Sequence, residues 1–271
     1  MEGTFSYWMR TNLKDAYSGL ITQDVDFVII IDKRIYFIEE KNRSNARIGP
    51  AQKVIYKMIC DLFKNSKNLD YEFEGVAIIN IENEQTSLNE VKKLINESIR
   101  KEIEIENEIL NKLWDCRGRP FIRKTEVERS GYRTSILEKI FWNNKIYTRT
   151  KDNIYIERIH WLFLNYCTGY FIFLEEQTCG NFNISDDRRR FIKLIDDMFS
   201  RLSEENERSL YARNPKSGAV YKYIGYYELA FSRTNPDNSN KIYLNGKEIT
   251  REKLVSLLNL DSVDIVEYRG K

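Results

Sequence analysis

Histidine is almost missing from this chain: His160 stands alone among 271 residues. A Ser-His-Asp or Cys-His set, or a cluster of histidine metal ligands, would have to converge on that one ring, and these chemistries are discounted. Cysteine is nearly as scarce. Cys60, Cys116, Cys167 and Cys179 lie far apart with no C-x-x-C pair. Neither a zinc site nor a disulfide framework is expected, and a reduced, cytoplasmic protein fits best. The opening MEGTFSYWMR has no secretory pattern, and no apolar run nears the ~18 residues of a membrane span, so no membrane partner is expected. An excess of charge is lacking as well. Forty-three Lys and Arg face 41 Asp and Glu, a net charge of +2, so a surface for a polyanion must come from segregation of charge.

What the chain does have is α/β patterning, with 42% hydrophobic and 13% aromatic residues, enough for one large core or two small ones. VDFVIII at 25–31 and RIYFIEE at 34–40 flank the turn pair Asp32-Lys33 and read as a hairpin. After a polar loop, Pro50 opens a helix with Val54, Met58, Ile59, Leu62 and Phe63 at helical spacing. FEGVAIINI at 73–81 reads as a third strand, and 88–113 as a long charged helix.

A second series repeats the first. Residues 39–63 set against 175–199 without a gap share eight identities in 25, among them Glu39 with Glu175, Glu40 with Glu176, Asp61 with Asp197 and Phe63 with Phe199. MRTN at 9–12 resembles TRTK at 148–151, and Tyr71-x-Phe73-x-Gly75 matches Tyr221-x-Tyr223-x-Gly225. These matches indicate an internal duplication of one α/β unit.

Within the first copy, the strand 34–40 runs into Glu39-Glu40-Lys41, and Asp26 sits at the start of the paired strand. Side chains two apart on a strand share a face, so Glu39 and Lys41 point one way and Glu40 the other. Two carboxylates and an ammonium thereby converge without histidine. Such a set suits a hard divalent cation and phosphodiester hydrolysis, with a lysine beside the attacking water. The competing reading is a strand end running out into solvent.

Asp26 with the following FVIII, and the strand-terminal Glu39-Glu40-Lys41, resemble the PD-(D/E)XK nuclease superfamily over roughly residues 1–85. Gln52, opening the next helix, is similar to a glutamine that many members place there. The resemblance implies a restriction-endonuclease-like fold. It also implies Mg²⁺ (or Mn²⁺) held by Asp26, Glu39 and the carbonyl of Glu40, with Lys41 acting on water and Gln52 supporting the site. Glu2 would be the acidic residue that some members carry on a first helix. The residue before Asp26 is Val25 where the family has proline, and Asp24 is a rival for the aspartate role. In the second copy His160 stands about where Asp26 should be, Gln177 replaces Lys41 and Arg188 stands at the Gln52 position, so that copy is expected to be silent.

Basic residues supply candidate phosphate contacts: Arg43, Arg47 and Lys53 around the proposed site, Arg117, Arg119, Arg123 and Lys124 in a Gly- and Pro-bearing junction, and Arg188 at a helix start. Asp186 and Asp187 are expected to cap that helix. The expected architecture is α/β: two tandem restriction-endonuclease-like units, each a mixed sheet flanked by helices, the second degenerate. The nuclease-like domain spans 1–108, a basic connecting segment 109–145 and the second copy 146–271. The expected function is a Mg²⁺-dependent endonuclease with one centre per chain, acting on DNA ahead of RNA. A single centre would need a homodimer or two sequential nicks for double-strand cleavage. The alternative is an inactive nucleic-acid-binding or assembly protein that keeps the fold.

Overall fold

The structure, a computed structural model, describes residues 4–14, 18–41, 48–67, 69–105, 121–122, 135–177 and 184–269. Its centre is a twelve-residue strand, β1 (Leu20–Ile31), whose β-branched run is buried on both faces. At Asp32 and Lys33 the chain takes positive φ at both positions (51° and 63°), the backbone of a two-residue hairpin turn. It returns as β2 (Arg34–Lys41), antiparallel to β1. Helix α2 (Pro50–Lys64) then crosses over to β3 (Glu72–Asn80), which lies parallel to β2.

The expected helix over 88–113 is shorter. It forms α3 (Leu88–Ser98), and Ile99 leaves the helical path to begin β4 (Ile99–Arg100), antiparallel to β3. A contact remote in sequence decides this. Gly75 has φ of +137°, and a Cβ there would stand 2.6 Å from the carbonyl oxygen of Arg100. Only glycine lets β4 approach so closely.

The second half follows with α4 (Ile136–Asn143), β6 (Tyr155–Asn165), β7 (Tyr170–Gln177), α5 (Asp186–Ser209) and β8 (Lys222–Phe231), then β9 (Ile242–Leu244), β10 (Lys247–Ile249) and α6 (Arg251–Leu258). The two-residue β5 (Phe121–Ile122) lies parallel to β1. The ten strands of the described residues join one mixed sheet in the order β10-β9-β8-β7-β6-β1-β2-β3-β4, with β5 beside β1. One sheet therefore runs through both halves.

The halves meet at β1 and β6, and this ladder reads alike from either end. Ile21 faces Leu164 as Ile30 faces Tyr155, and Gln23 faces Leu162 as Val28 faces Glu157. Val25 faces Ile159 at the middle, between two register shifts. Outward from there, the parallel pairs β2–β3 and β7–β8 each slip by one residue, where Gly75 and Gly225 enter.

Helices α2 and α5 share one face. Ten of the fifteen α2 residues are buried, because α5 packs alongside: Phe63 meets Phe199 edge-on at 5.7 Å, and the Tyr211 hydroxyl donates to the Leu62 carbonyl at 3.2 Å. On the opposite face the short helices are exchanged. Phe5, Trp8 and Met9 of α1 (Phe5–Asn12) pack beneath Trp161, Phe163, Ile172 and Leu174 of the second half. Leu137, Ile140 and Phe141 of α4 pack beneath Phe27, Ile29 and Ile38 of the first. The end of the expected connecting segment 109–145 is thus part of the first half's core.

Candidate active site

The pairing of β1 with β2 ends at Phe27 opposite Ile38. Beyond it β1 bulges through Val25–Val28 toward β6, and a gap opens beside Glu39, Glu40 and Lys41. Bulges redirect side chains in this way. Asp26 fills the gap: its Oδ2 accepts the Glu40 N–H at 2.8 Å. That bond ties Asp26 to the strand end of Glu39, Glu40 and Lys41.

Four residues named from the sequence come together here. Glu39, Asp26, Lys41 and Gln52 are 0%, 3%, 5% and 5% exposed, so this is no solvated strand end. The Lys41 ammonium donates to Glu39 Oε1 at 2.6 Å and to Gln52 Oε1 at 3.0 Å. The Gln52 amide in turn donates to Glu39 Oε1 and accepts the Gly49 N–H at 3.1 Å, which fixes its orientation at the α2 start. The helix N-terminus adds a favourable field for the carboxylate.

Tyr56 is the member that sequence reading missed. Its hydroxyl donates to Glu39 Oε2 at 2.6 Å from one turn beyond Gln52. Spacing of i and i+4 on α2 was the available signal. Burial first, then the Glu39 charge, hold its phenol well above the usual tyrosine range, so it remains a donor. Glu39 thus receives donors on both oxygens, and the centre carries two carboxylates against one ammonium.

Glu40 points to the other face, as strand alternation requires. Its carboxylate accepts from the Ser135 hydroxyl and, at 2.8 Å, from the Ile136 N–H at the start of α4. Burial raises its pKa, and those two donors oppose the rise. Its backbone behaves differently. Lys41 turns its carbonyl toward β3, accepting from Ile81 N–H at 2.9 Å, whereas the Glu40 N–H turns toward Asp26. N–H and C=O of one strand residue face the same side, so the Glu40 carbonyl faces the Asp26 gap.

The second half repeats the frame with other chemistry. The Glu176 N–H donates to His160 Nδ1 at 3.3 Å, as Glu40 does to Asp26. Glu175 receives Arg188 Nε at 3.1 Å and Nη2 at 2.5 Å, and Arg188 Nη1 also reaches Glu157 at 3.1 Å. Arg188, expected as a phosphate contact, is ion-paired with the buried Glu175 and the half-buried Glu157. The cap of α5 is Ser185, accepting from Arg188 N–H at 3.2 Å, with Asp186 and Asp187 in the first turn where the helix dipole favours them. Lys53 is half-buried in the first turn of α2. Arg43, Arg47, Arg117, Arg119, Arg123, Lys124 and Glu2 lie outside the described residues. Among the described residues no helix is long and apolar enough to cross a membrane.

Two proteins of Archaeoglobus fulgidus, both described as uncharacterized, are similar to this chain. One is 48% identical over 151 residues, 54% of this chain and 93% of its own length. The chain belongs to its family. The other is 39% identical over 131 residues, 42% of this chain and 90% of its own length. Each relative is thus matched nearly end to end by about half of this family member. No family model matches the chain, and no solved structure matches it.

Proposed function

We propose that this chain is a divalent-metal-dependent nuclease of the PD-(D/E)XK type, built by duplication of one restriction-endonuclease-like unit, with its working centre in the first half. The observation that carries the reading is the buried set of Asp26, Glu39, Lys41 and Gln52 at one strand end. The mirrored β1–β6 ladder and relatives matched by about half the chain support the duplication.

The residues fit a hard cation such as Mg²⁺ or Mn²⁺. Their donors are oxygens: the carboxylates of Asp26 and Glu39 and the carbonyl of Glu40. Among the described residues no three His, Cys, Asp or Glu side chains gather into a metal site, so the backbone carbonyl is needed beside the two carboxylates. A bound divalent cation would draw the scissile phosphate and acidify a water. The chain supplies the rest. Lys41 orients the attacking water and offsets charge on the phosphate, while Gln52 and Tyr56 hold Glu39 in place.

In the second half Arg188 supplies the positive charge that Glu175 requires, so that half serves as scaffold. One centre per chain nicks one strand, and a homodimer or a second encounter completes a duplex cut. The depth of the Glu39 set favours one other reading, a nucleic-acid-binding or assembly protein that retains the fold. Incubation of circular duplex, branched and single-stranded DNA, with matched RNA, in Mg²⁺ separates the two. Cleavage of any of them supports the nuclease, whereas tight metal-independent binding without cleavage supports the alternative.

A further inference from the structure

Gln23 is 2% exposed, and its Oε1 is buried without a hydrogen-bond partner. A buried amide oxygen left unpaired is costly enough to need an explanation. Gln23 lies on β1 opposite Leu162, which shares a core with α2 and α5. Directly opposed residues of an antiparallel pair share a face, so Gln23 points to the α2 face, as Asp26 does across the bulge. The second half shows what this position reaches. Its mate in the mirrored ladder is Glu157, which meets Arg188, and Arg188 in turn holds Glu175, the mate of Glu39. Position 23 therefore addresses the Glu39 centre, with a neutral oxygen where the second half carries a carboxylate.

We propose that Gln23 Oε1 is a further oxygen ligand of the divalent cation, beside Asp26, Glu39 and the Glu40 carbonyl. The inference rests on the metal-dependent reading above. An amide oxygen is a hard donor that needs no deprotonation, and it adds a ligand without adding to an excess of negative charge. A bound cation would give Gln23 Oε1 the partner it does not find among the protein's own groups.

Titration of the full chain with Mn²⁺ alone, followed by calorimetry and by the electron paramagnetic resonance of free Mn²⁺, tests this without reference to activity. Gln23→Leu is expected to weaken Mn²⁺ binding about 10-fold, while its metal-free melting temperature equals or exceeds that of the natural protein. Gln23→Glu is expected to bind at least as tightly as the natural protein, and Asp26→Asn to lose binding. Natural affinity in Gln23→Leu, with binding lost in Asp26→Asn, overturns this inference and leaves the nuclease reading standing. Undiminished binding in Asp26→Asn overturns both. Should Gln23→Leu fail to fold, weaker binding by Gln23→Glu overturns the inference.

Discussion

Replacing Arg188 with methionine removes the cation of the second half and keeps most of its volume. Its side chain is 11% exposed, and those of its partners Glu175 and Glu157 are 7% and 21% exposed. The substitution strands Glu175, with Glu157 better placed to find water. Breaking a buried pair by removing one partner costs about 3–5 kcal/mol, far more than the pair contributes relative to apolar replacements. For a chain of this size each kcal/mol shifts the melting temperature by roughly 2–4 °C, so a fall of about 6–20 °C is expected. Arg188→Met combined with Glu175→Leu removes the stranded carboxylate and is expected to recover most of the loss. Urea denaturation of the natural protein, both single variants and the double variant at pH 7 provides the cycle. A single-variant loss below about 1 kcal/mol, the range of solvated surface pairs, would refute the view that Arg188 closes the second centre.

Other outcomes follow from the same geometry. Tyr56→Phe deletes one donor to the fully buried Glu39 and should cost about 1.5–3 kcal/mol by urea denaturation. Gly75→Ala should destabilise more than Gly225→Ala, although φ is positive at both. A new Cβ at Gly75 meets the Arg100 backbone at 2.6 Å, whereas at Gly225 it meets the Arg269 side chain at 3.1 Å, and thermal melts compare them directly. Burial pushes the Glu176 carboxyl up to about 7, with the Trp161 indole opposing the rise. Its folded pKa lies above its unfolded value of 4.5, so its contribution is complete below pH 4.5 and is lost as pH rises through about 7. Glu176→Gln should therefore stabilise the protein at pH 8 and change little at pH 4.5, as measured by denaturation at the two pH values.

Much of the first half was legible because its signals are local. Pro50 does open α2, the five spaced apolar residues are buried, and Asp32-Lys33 forms the turn. Strand alternation alone put Glu39 and Lys41 together and sent Glu40 to the other face. What escaped depends on contacts remote in sequence. The charged run after Leu88 has helical composition, and pairing of Ile99 and Arg100 with Ala77 and Val76, beside the close approach at Gly75, ends it at Ser98. The ion pair of Arg188 with Glu157 was not legible because Glu157 belongs to a strand 31 residues away. The exchange of α1 and α4 between halves leaves no periodic mark, since an amphipathic helix does not state which sheet it covers. Tyr56 was passed over as one tyrosine among 17.

The strand end holding Asp26, Glu39 and Lys41 is proposed to cut phosphodiester bonds. The most direct test is the cleavage rate of DNA in Mg²⁺ by the natural protein and by Lys41→Ala, each shown to be folded by circular dichroism. Metal-dependent cleavage by the natural protein is expected, lowered at least about 10²-fold in the variant, as for loss of a group that stabilises charge in the transition state. Equal cleavage by the two proteins, or no cleavage by the natural protein across metals and temperatures, would contradict the proposal.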